Sequence, residues 1–288
     1  MYHLIFNPTA GNGRSEKSLN IVENMLKQRG VEYTVHTTER PKHATEIAKK
    51  LIADGERLMV AVGGDGTIAE VAKAVFGTKA ALGIIPAGTG NDYKRAVGIP
   101  DAVEESVEFL LKGKPTPCDA LDCNGEVYLN IVSMGFDVEV AKRAEKYKFF
   151  GSASYTLAAI DRAFSAKGTK AKITIDGEVM KKEILLTAIG NGTHYGGGIN
   201  SLPTADIQDG LLDICISDPT TPLNILKLLP KYSAGKHMDL DIIHIYKAKE
   251  IKIELEGQAL PINADGEILP PSKILHVKIL KGLINIIR

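Results

Sequence analysis

Three of the usual signs of a secreted, membrane-spanning or nucleic-acid-binding chain are missing here. Cysteine is scarce: Cys118, Cys123 and Cys215 form no CxxC pair and no disulfide framework. They fit a reducing compartment, where each serves as a small apolar residue. No apolar run reaches the roughly 18 residues of a spanning helix. The first residues, Met1-Tyr2-His3-Leu4-Ile5-Phe6, lack the basic region and cleavage site of a signal peptide. The expectation is a soluble or, at most, peripheral protein. Excess charge is absent too: 35 Lys plus Arg balance 35 Asp plus Glu. Bulk electrostatics therefore draw the chain to neither nucleic acid nor an anionic membrane. No HxH or HExxH pair occurs, and no glycine turn ends in the Gly-Lys-Ser/Thr of a Walker loop. The first strand is not followed by GxGxxG either.

What is present is glycine in particular places. Leu58-Met59-Val60-Ala61-Val62 reads as a buried parallel strand. It runs into Gly63-Gly64-Asp65-Gly66-Thr67, and a helix follows over residues 68–76. Glycines let such a turn pass close to a bound group. The helix start adds unpaired N–H donors and partial positive charge, both suited to an anion. Asp65, in the middle of the turn, suggests work through a metal or on a hydroxyl proton.

The same arrangement recurs on either side. Leu4-Ile5-Phe6 enters Asn7-Pro8-Thr9-Ala10-Gly11-Asn12-Gly13-Arg14, and a helix is predicted over 15–29. A strand over 31–37 and a helix over 41–53 come next. Ala81-Leu82-Gly83-Ile84-Ile85 enters Pro86-Ala87-Gly88-Thr89-Gly90-Asn91-Asp92, and 103–111 is helical. Strands alternating with helices argue for a doubly wound parallel sheet, whose ligands bind at the carboxyl ends of the strands. All three glycine turns are expected on that edge. Arg14 and Lys17 are candidate cations beside the first turn.

After Lys114-Pro115 the pattern changes. Strands are predicted over 116–122 and 127–132, and a largely helical stretch over 138–164 breaks at Gly151-Ser152. Strands then dominate, over 172–175, 184–189, 211–216, 242–246, 251–255, 260–262 and 274–279, with one helix over 223–232. Consecutive strands without helices between them read as antiparallel. The expected fold is α/β plus β: a nucleotide-binding parallel domain over 1–122, then a β-sandwich-like domain over 123–288. The last residues are candidates to return to the first domain. Two loops of the second half are unlike ordinary connections. One is Gly190-Asn191-Gly192 through Gly196-Gly197-Gly198, leading to Asp206 and Asp209; the other is Asn263-Ala264-Asp265-Gly266-Glu267. Asp206 and Asp209 offer hard oxygen ligands for Mg²⁺ or Ca²⁺, or simply cap a turn. His194, beside the glycine run, is the one histidine of interest. Asp65 and Glu267 are the carboxylates best placed for phosphoryl transfer.

Assembled, these stretches resemble the diacylglycerol kinase catalytic family, in its soluble bacterial branch. The resemblance rests on Asn7 to Gly11, Gly63 to Thr67 with Glu70, Ile85 to Asp92, Gly190-Asn191-Gly192 with Gly196-Gly197-Gly198, and Asp265-Gly266-Glu267. It covers nearly the whole chain. Gly-Gly-Asp-Gly alone is shared with NAD kinases and phosphofructokinases; the flanking turns make the set specific. The resemblance implies ATP-dependent phosphorylation of a lipid hydroxyl with Mg²⁺, in phospholipid metabolism. By it, Asn7, Pro8, Thr9, Ala10 and Gly11, Thr38 or its neighbour Thr37, Gly64, Asp65, Gly66, Thr67 and Glu70 within the 65–71 stretch, Thr89 and Asn91 hold the nucleotide. Glu267 is the implied general base. Asp65 organises the catalytic metal, supported by Asp119 through water, and Asp206, Asp209 and Leu211 form a structural metal site. That last match is imperfect, because Gln208 stands where many relatives carry a carboxylate.

The resemblance also implies a cytoplasmic enzyme meeting lipid at the inner membrane face, without nucleic acid, and a homodimer is common in the family. Lys142, Arg143, Lys146, Lys148, Phe149 and Phe150 form one basic-aromatic candidate for membrane contact. Lys227 and Lys231, among the apolar residues of 226–232, form another. Diacylglycerol is the leading substrate. Phosphatidylglycerol, ceramide or sphingosine, a NAD kinase-like activity, and a silent lipid- or nucleotide-binding regulator are the competing readings.

Overall fold

The structure, a computed structural model, describes residues 1–144, 146, 147, 149 and 154–288, without the side chains of Asn12 and Tyr155. Lys148, Phe150 and the break at Gly151-Ser152 lie outside the described residues.

In chain order, β1 (Tyr2–Phe6) leads through a 3-10 turn (Ala10–Gly13) to α1 (Arg14–Gln28). Then come β2 (Tyr33–Thr37), α2 (His43–Ala53), β3 (Leu58–Gly63), α3 (Asp65–Val75), β4 (Ala81–Pro86), α4 (Tyr93–Val97) and α5 (Val103–Lys112). β5 (Pro115–Cys123), β6 (Glu126–Tyr128) and β7 (Ile131–Gly135) precede α6 (Phe136–Ala144) and α7 (Ser154–Ala163). β8 (Thr169–Ile175), β9 (Glu178–Ile184), β10 (Leu186–Gly190), β11 (Leu212–Ser217) and α8 (Pro222–Ser233) follow. The chain ends in β12 (Ile243–Ala248), β13 (Glu250–Leu255), β14 (Leu260–Ala264), β15 (Glu267–Ser272) and the long β16 (Ile274–Ile287).

The chain divides into two compact units, one of Met1–Ala120 with Leu280–Arg288, the other of Leu121–Ile279. In the first unit, β2, β1, β3, β4 and the end of β16 lie side by side, every pair parallel. Such central strands are apolar on both faces, and Met59 to Val62 are wholly buried. One face meets α1 through Leu19, Val22 and Leu26 and α5 through Val107 and Leu110. Those α1 positions follow the helical period, so one stripe of the helix is apolar. The other face meets α2 and α3.

The second unit is antiparallel. One sheet runs β12-β11-β10-β7-β14-β15, and the other strands pair as β13 with β8, β8 with β9, and β13 with the start of β16. A single apolar core takes residues from both sets, among them Met134, Ile189 and Ile262 from the first and Ile173, Ile251 and Val277 from the second. This is the sandwich expected of a strand-rich half. A further cluster joins α6, α7 and α8 through Phe136, Val140, Ala158, Ala159 and Ile225.

The sequence reading differs from the structure in particular places. The strand expected over 127–132 is two, β6 and β7, separated by a turn at Leu129-Asn130. β9 and β15 are strands the reading omits: β9 is mostly polar on its open side, and β15 carries Pro270-Pro271. α4 is an unpredicted single turn and a half after the third glycine loop. No helix among the described residues is long and apolar enough to cross a membrane.

Candidate active site

β1, β3 and β4 all point their carboxyl ends at one edge of the first unit's sheet, and each continues into a glycine turn. The turns are locked together by contacts that only small residues permit. Gly64 and Gly88 lie Cα against Cα, so a Cβ on Gly88 would run into Gly64. Gly11 adopts φ +62° with its open side against the Ala87 carbonyl, which leaves no space for a side chain. Polar side chains complete the lock. The Asn7 amide donates to the Thr67 hydroxyl at 3.2 Å and its oxygen accepts from the Thr9 N–H at 3.0 Å. Asn91, at φ 50°, closes the third turn on itself by accepting from Gly88 N–H and donating to Gly88 O, each at 3.0 Å.

Between these turns lies a cleft of about 440 Å³. Asn7, Thr9, Ala10 and Gly11 line it from the first turn. Gly64, Gly66, Thr67 and Glu70 line it from the second, Gly88 and Thr89 from the third, and Thr38 from the end of β2. Pro8, Asp65 and Asn91 belong to the same turns but do not line it. Glu39, Arg40 and Pro41 do, although the sequence reading stopped at Thr38. Their signal was legible in principle, because the connection after β2 must pass the same sheet edge. Arg40 pairs with Glu46 at 2.8 Å, which holds the Glu46 carboxyl below its usual range. Arg14 and Lys17 are exposed and do not line the cleft; Arg14 donates to Gly11 O at 3.1 Å instead.

Two acidic residues of the turns have specific tasks. Glu70 accepts from the backbone N–H groups of Lys42 at 2.9 Å and Ala44 at 3.2 Å, so it caps the start of α2 and sets that helix against α3. Asp65 accepts from the Tyr93 N–H at 3.1 Å. Burial first, and the neighbouring Asp92 second, raise its pKa. A cation beside Asp65 would favour its charged form. Asp92 is itself paired with the Arg95 guanidinium at 3.0 Å. Asp119 is buried and accepts from Gly282 N–H at 2.7 Å.

The second unit presents Glu267 on a tight hairpin. Asp265 (φ 49°) and Gly266 (φ 86°) make the two-residue turn between β14 and β15, with Glu267 opposite Ala264. Asp-Gly is a favoured pair for this geometry. Asp265 then anchors the turn: its carboxylate accepts from the N–H groups of Leu129 at 2.6 Å, Asn130 at 2.9 Å and Ile131 at 3.2 Å. Glu267 is left exposed at the tip. The first glycine-rich loop of this unit joins the same knot, since Asn191 N–H donates to Asn130 O at 3.0 Å and Asn130 donates to His194 O at 2.8 Å. The sequence reading singled out Glu267 and missed Asp265 as its anchor. It also missed Tyr128, whose hydroxyl is pushed up by burial first and then by the charge of Glu267.

In the loop after β10, Asp206 accepts from Gln208 N–H and Asp209 from Leu211 N–H, both at 2.9 Å. The Lys247 ammonium stands 2.8 Å from Asp209, 3.0 Å from Asp213 and 3.1 Å from Thr204 O. A cation is thus already supplied there, and a divalent ion on Asp209 would have to displace it. These residues as placed do not fit a metal, and no group of three or more His, Cys, Asp or Glu among the described residues does.

Known proteins match along both units. Residues 1–123 match the diacylglycerol kinase catalytic domain, and residues 130–288 match the YegS C-terminal NAD kinase beta sandwich-like domain. A diacylglycerol kinase of Mycobacterium tuberculosis is 30% identical over 273 residues, covering 92% of this chain and 88% of the relative. One from Bacillus subtilis is 30% identical over 269 residues, covering 92% and 88%. A probable lipid kinase YegS-like of Pseudomonas syringae is 33% identical, covering 84% and 80%. The crystal structure of a diacylglycerol kinase from Bacillus anthracis superimposes with a TM-score of 0.77 at 26% identity, covering 99% of this chain and 96% of that one. With both units accounted for in order, the chain belongs to the diacylglycerol kinase catalytic family, and it is an ATP-dependent lipid kinase.

Proposed function

We propose that this kinase transfers the γ-phosphoryl group of ATP to the free hydroxyl of diacylglycerol, giving phosphatidic acid. The observation that carries the reading is the cleft between three interlocked glycine turns at the start of α3. Backbone N–H groups of Gly66 and Thr67, unpaired in the first turn of the helix, suit the phosphates of a nucleotide. Asn7, Thr9, Thr38 and Thr89 supply polar contacts to it, and Glu70 keeps α2 in place. Asp65 would hold Mg²⁺, whose chemistry when bound is to neutralise phosphate charge. Glu267 takes the proton of the attacking lipid hydroxyl, the task a positioned carboxylate can perform. Asp265 fixes the tip that carries it. The substrate places the enzyme at a membrane surface, in peripheral contact on the cytoplasmic side.

A lipid panel tests the reading. Radiolabelled ATP is offered with diacylglycerol, phosphatidylglycerol, ceramide, sphingosine and NAD in turn. Label in phosphatidic acid is the expected product. Label only in another lipid or in NAD would replace diacylglycerol, and label in no product would favour a silent binding protein.

A further inference from the structure

In the second unit, the loop between β10 and β11 meets β12 over a set of oxygens whose partners can all be named. Asp206 and Asp209 each turn one carboxylate oxygen to the backbone N–H two residues on, as aspartates in turns do. The other oxygen of Asp209 faces the Lys247 ammonium at 2.8 Å. Asp213, on β11, has a side chain only 1% exposed. The Thr204 hydroxyl donates to one of its oxygens at 2.6 Å, and Lys247 stands 3.0 Å from the other. The Thr204 carbonyl completes the set, 3.1 Å from the same ammonium. Asp213 and Lys247 lie opposite each other in the β11–β12 ladder, so the sheet itself brings the ammonium to this place.

An ammonium group carries three donors and no acceptor. Three oxygens surround this one, at 2.8, 3.0 and 3.1 Å. That spacing is the spacing of N–H···O hydrogen bonds. Oxygens around Mg²⁺ would close to about 2.0–2.1 Å, and around Ca²⁺ to about 2.3–2.6 Å. A carboxylate as buried as that of Asp213 needs a cation beside it. Lys247 supplies one that is tethered to the neighbouring strand, and so is present whatever the concentration of divalent ions. The loop also has apolar anchors, since Leu202 and Ile207 are buried. Its path therefore does not hang on the cation alone.

We infer that Lys247 is a built-in cation standing where the family resemblance led to a divalent ion, and that the loop over 203–211 holds neither Mg²⁺ nor Ca²⁺. The second unit then keeps this loop in place without divalent ions, and the demand for Mg²⁺ belongs to the nucleotide. Removing the ammonium leaves the Asp209 and Asp213 carboxylates and the Thr204 carbonyl around one space, a set of hard oxygens that suits a divalent ion. Lys247→Ala therefore turns a lysine-held loop into a metal-held one.

Thermal unfolding and elemental analysis test the inference without any turnover. Both use the nucleotide-free full chain carrying Asp65→Asn, so that an ion on the nucleotide side does not contribute. With Lys247 in place, the unfolding temperature in EDTA lies within about 1 °C of that in millimolar Mg²⁺ or Ca²⁺. Elemental analysis after gel filtration finds no stoichiometric divalent ion. Adding Lys247→Ala lowers the unfolding temperature in EDTA by about 5 °C or more, because Asp213 is left unpaired. Either ion then restores at least about half of the loss. A stoichiometric ion in the protein that keeps Lys247, or an unfolding temperature there that falls in EDTA as the variant's does, overturns the inference. So does a Lys247→Ala variant as stable in EDTA as its parent. A loss that neither ion repairs makes Lys247 an ordinary ion-pair partner and overturns its standing for a metal. Should Lys247→Ala not fold, the elemental analysis and the EDTA response of the protein with Lys247 decide alone.

Discussion

Asp137, at the start of α6, keeps both carboxylate oxygens buried. Burial pushes its pKa from 3.8 up to about 6, partly offset by the neighbouring Ser133 and Tyr195 hydroxyls. Because the folded value lies above the unfolded one, the neutral acid favours folding and the charged form opposes it. Stability from this group is complete below the unfolded value of 3.8 and is lost as pH rises through about 6. Above that, the buried charge costs about 3 kcal/mol. Asp137→Asn should therefore raise the unfolding temperature at pH 8, with the gain shrinking toward pH 4. A gain independent of pH, measured by calorimetry across that range, would contradict the burial argument. Asp65 differs, because burial and then the neighbouring Asp92 oppose its charge, which a bound cation would favour. Asp65→Asn should weaken Mg²⁺-ATP binding by about tenfold or more in calorimetric titration, with ATP binding measured in chelator changed far less. Equal losses in both titrations would place Asp65 outside the metal's reach.

At the scale of the element, the glycine turns are packed parts rather than loose connections. Gly88→Ala puts a methyl into Gly64 and into the Asn91 side chain that closes the turn. Overpacking of this kind costs about 1–3 kcal/mol, and it separates the second turn from the third. Gly66→Ala is the contrast: its Cβ would meet nothing within 4 Å and it sits in the first turn of α3. That variant should unfold within about 0.5 kcal/mol of wild type in a denaturant titration. Equal destabilisation of both would mean that the Gly64–Gly88 approach does not hold the turns. The sequence displayed these turns clearly, because glycine and asparagine after an apolar run have few other uses. It did not display β15. Pro270 and Pro271 argue against a strand, and only its position beside β14 at the end of the sheet order makes them tolerable. Nor did it display the Asp265 anchor, whose three partners are backbone groups some 135 residues earlier in the chain.

At the scale of the whole molecule, the two fold classes were legible from the change of pattern near Lys114-Pro115. Alternating helices and strands gave a parallel sheet before it, and strands dominate after it. The sequence reading ended the last strand at 279, whereas β16 runs on to Ile287 and its end lies beside β4. The same packing buries every cysteine: Cys118, Cys123 and Cys215 are all free and buried, and burial raises the Cys123 and Cys215 thiols to about 12. A thiol reagent should label none of them in the native protein and all of them after denaturation, at a rate set by opening of the fold. Rapid native labelling of any one would show a unit looser than its core implies. The central claim is that phosphoryl transfer depends on Glu267 as the proton acceptor, and Glu267→Gln tests it directly. Turnover of diacylglycerol by that variant, measured with radiolabelled ATP alongside its ATP affinity, should fall by about 10²–10⁴-fold with affinity within about twofold of wild type. Turnover like that of wild type would contradict the account.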